Sequence, residues 1–389
     1  MFFFKIKAPG SKLRDPVASC GKITGNFAAA MQSSLSSPSS RPVAIWVKTG
    51  VFMLLVQVVL GGITRLTGSG LSITEWNVGA GTLPPLSDGQ WQVAFDKYKQ
   101  TPQFQILNSG FSLSDFKFIF FWEWFHRFWA RMVGVVFLVG FVWLLLKKKM
   151  DSRMIAPLIT LFLLGALQGA IGWIMVASGL TGDAIYVQPS RLALHFVFAL
   201  VLIGYACWFA LELSVPPQQI TGNTRLHRWT MAIIITLFFQ LIYGALMAGH
   251  KAATVAPTWP TINGEWIPAG LSGNRPLMEE LAGNKIAVQF IHRCLAYLLL
   301  ILVSAWSVTA FRHKAVPGLF RRTRWLPLLL ILLQILLGIM SLLSSPGIIP
   351  NQWVGFDWLA QLHQITGLLF LVTMIGMLYL VRARHSVTV

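Results

Sequence analysis

Four histidines, His126, His195, His292 and His363, stand inside long apolar stretches of the chain, whereas His227, His250, His313 and His385 lie in polar surroundings. A single imidazole in an apolar setting is ordinarily a satisfied core residue. Four at equivalent depths require a common partner, because lipid and apolar side chains give them no solvation. The most heavily functionalised stretch, FKFIFFWEWFHRFWARMVG at 116–134, also carries Glu123, Arg127 and Arg131. On a helix Glu123 and His126 share a face, with Arg127 one position beyond. Neutral imidazoles presented by two helices of a four-helix unit are the usual axial ligands of a b-type heme, so two such pairs predict two porphyrin sites. Mononuclear copper or zinc is the weaker reading, since these stretches hold no cysteine or aspartate cluster to complete a coordination shell.

The chain that must position these residues has 389 residues, 55% hydrophobic and 11% charged, with a mean hydropathy of +0.64. These values exclude an ordinary soluble globule and indicate an integral membrane protein. Eight segments are long and apolar enough to cross a bilayer, at 44–64, 118–146, 155–177, 192–213, 229–248, 286–310, 327–345 and 358–381. Basic residues crowd the tail before the first span and the turns after even-numbered spans, among them Lys147, Lys149, Arg153, Arg225, Arg228, Arg321 and Arg322, while the opposite loops carry most of the acids. This asymmetry places both termini on the cytoplasmic or matrix side. The expected setting is a bacterial inner membrane with the sites toward the periplasm, the mitochondrial inner membrane being the alternative. The net charge of +18 is a topology signal with attraction to anionic headgroups as a by-product, and no nucleic-acid site is read from it. Cys20, Cys207 and Cys294 form no C-x-x-C and provide no disulfide or zinc framework. Residues 1–42, basic and serine-rich, read as a disordered tail or a targeting presequence; the lack of an Arg-rich amphipathic pattern favours the tail.

An internal repeat organises the spans. Odd-numbered spans carry Q-x-x-x-G, as Gln57/Gly61, Gln168/Gly172, Gln240/Gly244 and Gln334/Gly338, and each even-numbered span carries one of the four histidines. His126-Arg127 is echoed by His292-Arg293. The pattern predicts an all-α integral membrane protein whose eight transmembrane helices form two parallel-repeat four-helix bundles, 43–213 and 229–384, joined by a cytoplasmic linker at 214–228. The Gln and Gly set reads as a packing device, glycine allowing close approach and glutamine bonding across helices, with direct cofactor contact as the alternative.

Arg65, Arg127, Arg131, Arg191 and Arg293 either receive heme propionates through charge-assisted bonds or snorkel at helix ends. Glu123 stands three residues before His126, and its neutral isostere Gln289 stands three before His292. That difference is expected if one site performs chemistry and the other only moves electrons. The competing reading makes Glu123 the counter-ion of Arg127 at i, i+4. The outward loops 65–116 and 249–284 are long and rich in Trp and Pro, and predict lids over the membrane surface.

Through GGITRLTGSGLSITEW at 61–76, PPL at 84–86, W-x3-F-x2-Y at Trp91, Phe95 and Tyr98, FKFIFFWEWFHR at 116–127 and the two later histidines, residues 43–384 resemble the heme A synthases. These membrane oxidoreductases oxidise a ring methyl of heme O to a formyl group, giving heme A for terminal oxidase assembly. The resemblance implies an N-terminal half that holds the substrate heme through His126 and His195, and a C-terminal half that holds a heme b cofactor through His292 and His363. Glu123 matches the proposed catalytic carboxylate of the family. A heme O synthase and an electron donor are the implied partners, and a homo-oligomer is compatible. The cysteine pair that some bacterial members carry in the first outward loop is missing, so the chain looks like the branch shared by proteobacteria and mitochondria. A bis-histidine cytochrome b electron-transfer subunit and a heme-handling transporter or chaperone are the alternatives. The former normally sets its hemes at opposite faces of the bilayer, whereas these four histidines all sit toward the outward ends of their spans.

Overall fold

The computed structural model describes residues 40–75, 83–271, 276–349 and 352–383. The tail through residue 39, with Cys20, lies outside the described residues. The chain is a multi-pass membrane protein with eight helices long and apolar enough to cross a bilayer. They are α1 (Arg41–Leu66), α2 (Leu113–Leu146), α3 (Ser152–Ala177), α4 (Pro189–Ser214), α5 (Thr224–Gly249), α6 (Lys285–Arg312), α7 (Leu326–Ser344) and α8 (Gly355–Val381). At about 1.5 Å rise per residue most of them exceed the ~30 Å hydrocarbon layer.

Capping, more than hydropathy, decides where several helices begin. The Ser112 and Asp115 side chains form a capping box at the start of α2, so the helix begins at Leu113, before the apolar run expected from residue 118. Asn223 caps α5 through Leu226 N and starts that helix at Thr224, inside the expected linker. What is left of the linker is a single 3-10 turn at Pro217–Gln219 flanked by the buried Val215 and Ile220. Side-chain oxygens take up the otherwise orphaned first-turn N–H groups at these ends.

Neighbouring helices pair as α1 with α2, α3 with α4, α5 with α6 and α7 with α8. The first four helices and the last four pack against each other: α4 packs on α5 and α8, and α8 also packs on α1. The largest apolar core accordingly joins Leu200, Ile203 and Cys207 of α4 to Ile233 of α5, Trp306 of α6 and Phe370 of α8. A second core, away from the histidines, is built by Val43, Val47, Leu144, Leu158, Leu161 and Phe209 of α1 to α4. Across the α1–α8 contact Gln361 and Gln364 donate to the Val59 and Val58 carbonyls at 3.1 and 2.9 Å, where Gly62 leaves room for both side chains.

The first long loop is not structureless. It contains short helices at Asp88–Lys99 and Pro102–Leu107, and the W-x3-F-x2-Y residues fall on one helical face. Phe95 and Tyr98 stack on Phe116 at 5.1 and 5.2 Å between centroids, and Trp91 meets Phe120 edge-on at 5.0 Å. The Tyr98 hydroxyl donates to Gln103 Oε1 and accepts from Asn108 Nδ2, and Gln103 in turn donates to the Gly68 carbonyl. Burial pushes the Tyr98 phenol up to about 12, so it stays protonated as a donor. This aromatic cap fixes the loop over the beginning of α2.

Candidate functional site

Each of the four histidines sits on the Q-x-x-x-G of the helix that precedes its own. The Gln168 amide lies 3.1 Å from His195 Nδ1, Gln240 Nε2 lies 3.3 Å from His292 Nε2, and Gln334 Nε2 lies 3.3 Å from His363 Nε2. Gln57 reaches the His126 carbonyl at 3.3 Å. The glycines are the seats of the rings. A Cβ at Gly61 would stand 3.3 Å from His126 Nε2, and at Gly172, Gly244 and Gly338 it would stand 2.9, 3.4 and 2.9 Å from Cε1 of His195, His292 and His363. The packing reading of the set thus acquires a specific object: the close approach made by glycine is between a helix backbone and an imidazole, and the glutamine amides bond across to the histidine-bearing helix.

All four histidines line one continuous cavity of about 1570 Å³ with mostly apolar walls. That is larger than the ~300–1,000 Å³ usual for a small-molecule pocket. The His292 and His363 rings lie with centroids 6.5 Å apart and planes inclined at 68°, a separation that would admit one metal atom between them. Their polar atoms are set for such an occupant. His292 Nδ1 and the Oε1 atoms of Gln57, Gln168, Gln240 and Gln334 are buried without a hydrogen-bond partner. Unsatisfied buried groups on this scale are exceptional in native folds, and an exchange of amide O and N would let Gln168 and Gln240 accept from the imidazole N–H that each faces. The 3.0 Å bond between His363 Nδ1 and the Gln334 carbonyl holds the proton on Nδ1 and leaves Nε2 its lone pair, the usual orientation of a metal-binding histidine. The His292 and His363 residues fit an iron porphyrin between them, and His126 and His195 line the same cavity.

Glu123 is 2% exposed. Its Oε1 accepts from Arg127 Nη2 at 2.5 Å, and Oε2 accepts from the Ser72 hydroxyl at 2.7 Å and the Ile73 N–H at 2.8 Å. The i, i+4 ion pair of the sequence reading is therefore formed, and the carboxylate also ties Ser72 and Ile73 to α2. Gln289 has the corresponding place on α6 and donates to the Ala256 carbonyl at 2.9 Å, while Arg293 donates to the Thr258 and Thr261 carbonyls at 2.7 and 3.1 Å. In both cases the side chains flanking the histidine hold down the loop that follows the preceding odd helix. The N-terminal site does so with a buried charge pair and the C-terminal site with carbonyls.

The five arginines separate. Arg65, Arg127, Arg131 and Arg293 line the cavity, whereas Arg191 is half-buried outside its lining and donates to the Ile174 carbonyl at 3.2 Å. Arg65 lies within electrostatic reach of Asp357, a buried residue of α8 on the cavity wall. Sequence reading placed Asp357 among the loop acids and did not single it out. Its signal was weak but present, since it stands six residues before a span histidine.

The chain has clear relatives. The family model described as COX15-CtaA, cytochrome oxidase assembly protein, matches residues 44–375. The heme A synthase of Caulobacter sp. (strain K31) is 39% identical over 315 residues, which are 81% of this chain and 91% of the relative. Those of Paracoccus denitrificans (strain Pd 1222) and Rhodopseudomonas palustris (strain BisA53) are 39% and 40% identical, with 88% and 90% of this chain and 87% and 94% of the relatives covered.

Proposed function

The chain belongs to the COX15-CtaA family of cytochrome oxidase assembly proteins, and we propose that it is a heme A synthase, a membrane oxidoreductase that converts the ring methyl of heme O to the formyl group of heme A. The observation that carries this reading is the set of four glycine-seated histidines paired in one cavity large enough for two macrocycles. In the proposed division of work, His126 and His195 hold the substrate heme in the N-terminal half, and His292 and His363 hold heme b in the C-terminal half. Heme b, when bound, supplies one-electron redox chemistry. The chain's own residues orient and enclose. Gln168, Gln240 and Gln334 fix imidazoles, Gly61, Gly172, Gly244 and Gly338 let them sit against the helices, and Arg65 and Arg131 on the cavity wall are the best placed to receive propionates. Glu123 with Arg127 holds the 72–73 segment against α2, and from the cavity wall the Glu123 carboxylate would supply negative charge to stabilise positive charge developing during oxidation.

Expression in a bacterial membrane that makes heme O but no heme A tests the activity. Extracted pigment is expected to contain the formyl heme, and heme O alone would refute the assignment. The basic turns support a cytoplasmic or matrix location for both termini, in a bacterial inner membrane. Reporter fusions at Lys148 and Arg322 should then read as cytoplasmic and fusions at Ser87 and Gly270 as outward. An outward-active reporter at Arg322 would overturn that topology.

A further inference from the structure

The two halves can be compared position by position by counting from their histidines and glutamines. Eight residues after His126 on α2 stands Gly134, and eight after His292 on α6 stands Leu300. Three residues before Gln168 and one after it on α3 stand Gly165 and Gly169; the same places around Gln334 on α7 hold Ile331 and Ile335. Three glycines in the N-terminal half thus replace three branched aliphatics. The consequence is visible in the packing. Leu300, Ile331 and Ile335 join the apolar core of the C-terminal half, and α6 packs along α7. Around Gly134, Gly165 and Gly169 an added Cβ would meet nothing within 4 Å, and α2 and α3 make no comparable contact there. All three glycines line the cavity and are solvent-accessible, and at these positions neither α2 nor α3 supplies a side chain to close the seam between them. Its floor is the stacked pair Phe137 and Phe162, with centroids 6.2 Å apart, below which α2 and α3 close around Leu144, Leu158 and Leu161.

We propose that this α2–α3 seam is the berth of the long isoprenoid chain by which heme O differs from heme b, and that Gly134, Gly165 and Gly169 are specificity-determining positions. The inference rests on the reading of the N-terminal half as the substrate half. Three features favour an apolar chain as the occupant: the seam is continuous with the histidine-lined cavity, its walls from Gly134 down to the Phe137–Phe162 pair are apolar, and both helices that flank it are long and apolar enough to cross a membrane. The filled seam of the C-terminal half suits a heme without such a chain. A slot that keeps the chain beside lipid also lets a substrate too apolar for water arrive from the membrane, with the macrocycle leading toward His126 and His195.

The test is an absorbance titration of the purified protein, already holding heme b, with heme O and separately with protoheme. The variant Gly134→Leu/Gly165→Ile/Gly169→Ile, which copies the other half, is expected to bind heme O more weakly by on the order of tenfold or more, since losing contact for two or three methylene groups suffices for that. Protoheme binding should be unchanged. Gly165→Ile alone should give a smaller loss of the same sign, and a normal heme b spectrum checks that each variant is folded. Unchanged heme O affinity in the triple variant, or equal weakening of both hemes, would overturn the proposal and leave the seam to a lipid acyl chain or to the macrocycle itself. A separate control distinguishes failure of the underlying reading: if heme O still binds to His126→Ala/His195→Ala, the N-terminal half is not the substrate half.

Discussion

Replacing Glu123 by glutamine is expected to stop conversion of heme O while heme b is retained. The carboxylate is almost fully buried and accepts from Arg127, Ser72 and the Ile73 amide. Side-chain exposure is 3% for Glu123 and 14% for Arg127, so the substitution leaves a guanidinium buried without its counter-ion. One-sided loss of a buried ion pair costs about 3–5 kcal/mol. The loss is local, because the aromatic cap on α2 and the shared core of α4, α5, α6 and α8 do not involve Glu123. The C-terminal half tolerates Gln289 at the matching position only because Arg293 finds the Thr258 and Thr261 carbonyls. A second change, Arg127→Gln, removes the stranded charge and is expected to restore protein level and substrate binding, but not heme A formation. Chromatography of extracted hemes, read beside the heme b spectrum, decides between the roles. Recovery of heme A in the double variant would reduce Glu123 to a counter-ion, and a normal heme A yield from Glu123→Gln alone would refute both roles.

Loss of heme b is the expected result of His363→Ala, and also of Gly338→Val, which leaves both histidines in place. The first empties one axial position opposite His292. The second puts a Cβ 2.9 Å from His363 Cε1, with branches beyond it, and pushes the ring out of line. Gly376 of the same bundle has open space around its added Cβ, so Gly376→Ala should keep full heme b and serves as the control. Reduced-minus-oxidised spectra of the purified proteins make the comparison. A full low-spin heme b signal in both His363→Ala and Gly338→Val would mean that the cofactor is held elsewhere.

Much of this architecture is legible in the chain because a membrane imposes simple rules. Apolar runs of span length, basic residues at alternate turns and the recurrence of Gln, Gly and His at matched positions are one-dimensional signals, since lipid penalises every unsatisfied polar group without regard to tertiary detail. The aromatic lid and the Glu123–Arg127 pair follow from spacings along single helices. Other features depend on residues far apart in sequence. Glycine 61, 172, 244 and 338 serve as imidazole seats only because neighbouring helices cross at those points. Arg65 and Asp357 come within electrostatic reach of each other because α8 packs against α1, closing the bundle from its last span to its first. Arg191 carries the same residue type as the cavity arginines but faces Ile174 instead, since its place on α4 sets it outside the cavity lining. Helix starts at Leu113 and Thr224 were set by local capping bonds that outweigh hydropathy at the ends. The open seam at Gly134, Gly165 and Gly169 needed two separate helices, α2 and α3, to be brought side by side: composition locates the glycines, but whether missing side chains leave a void or a close contact is decided only by the distance between backbones.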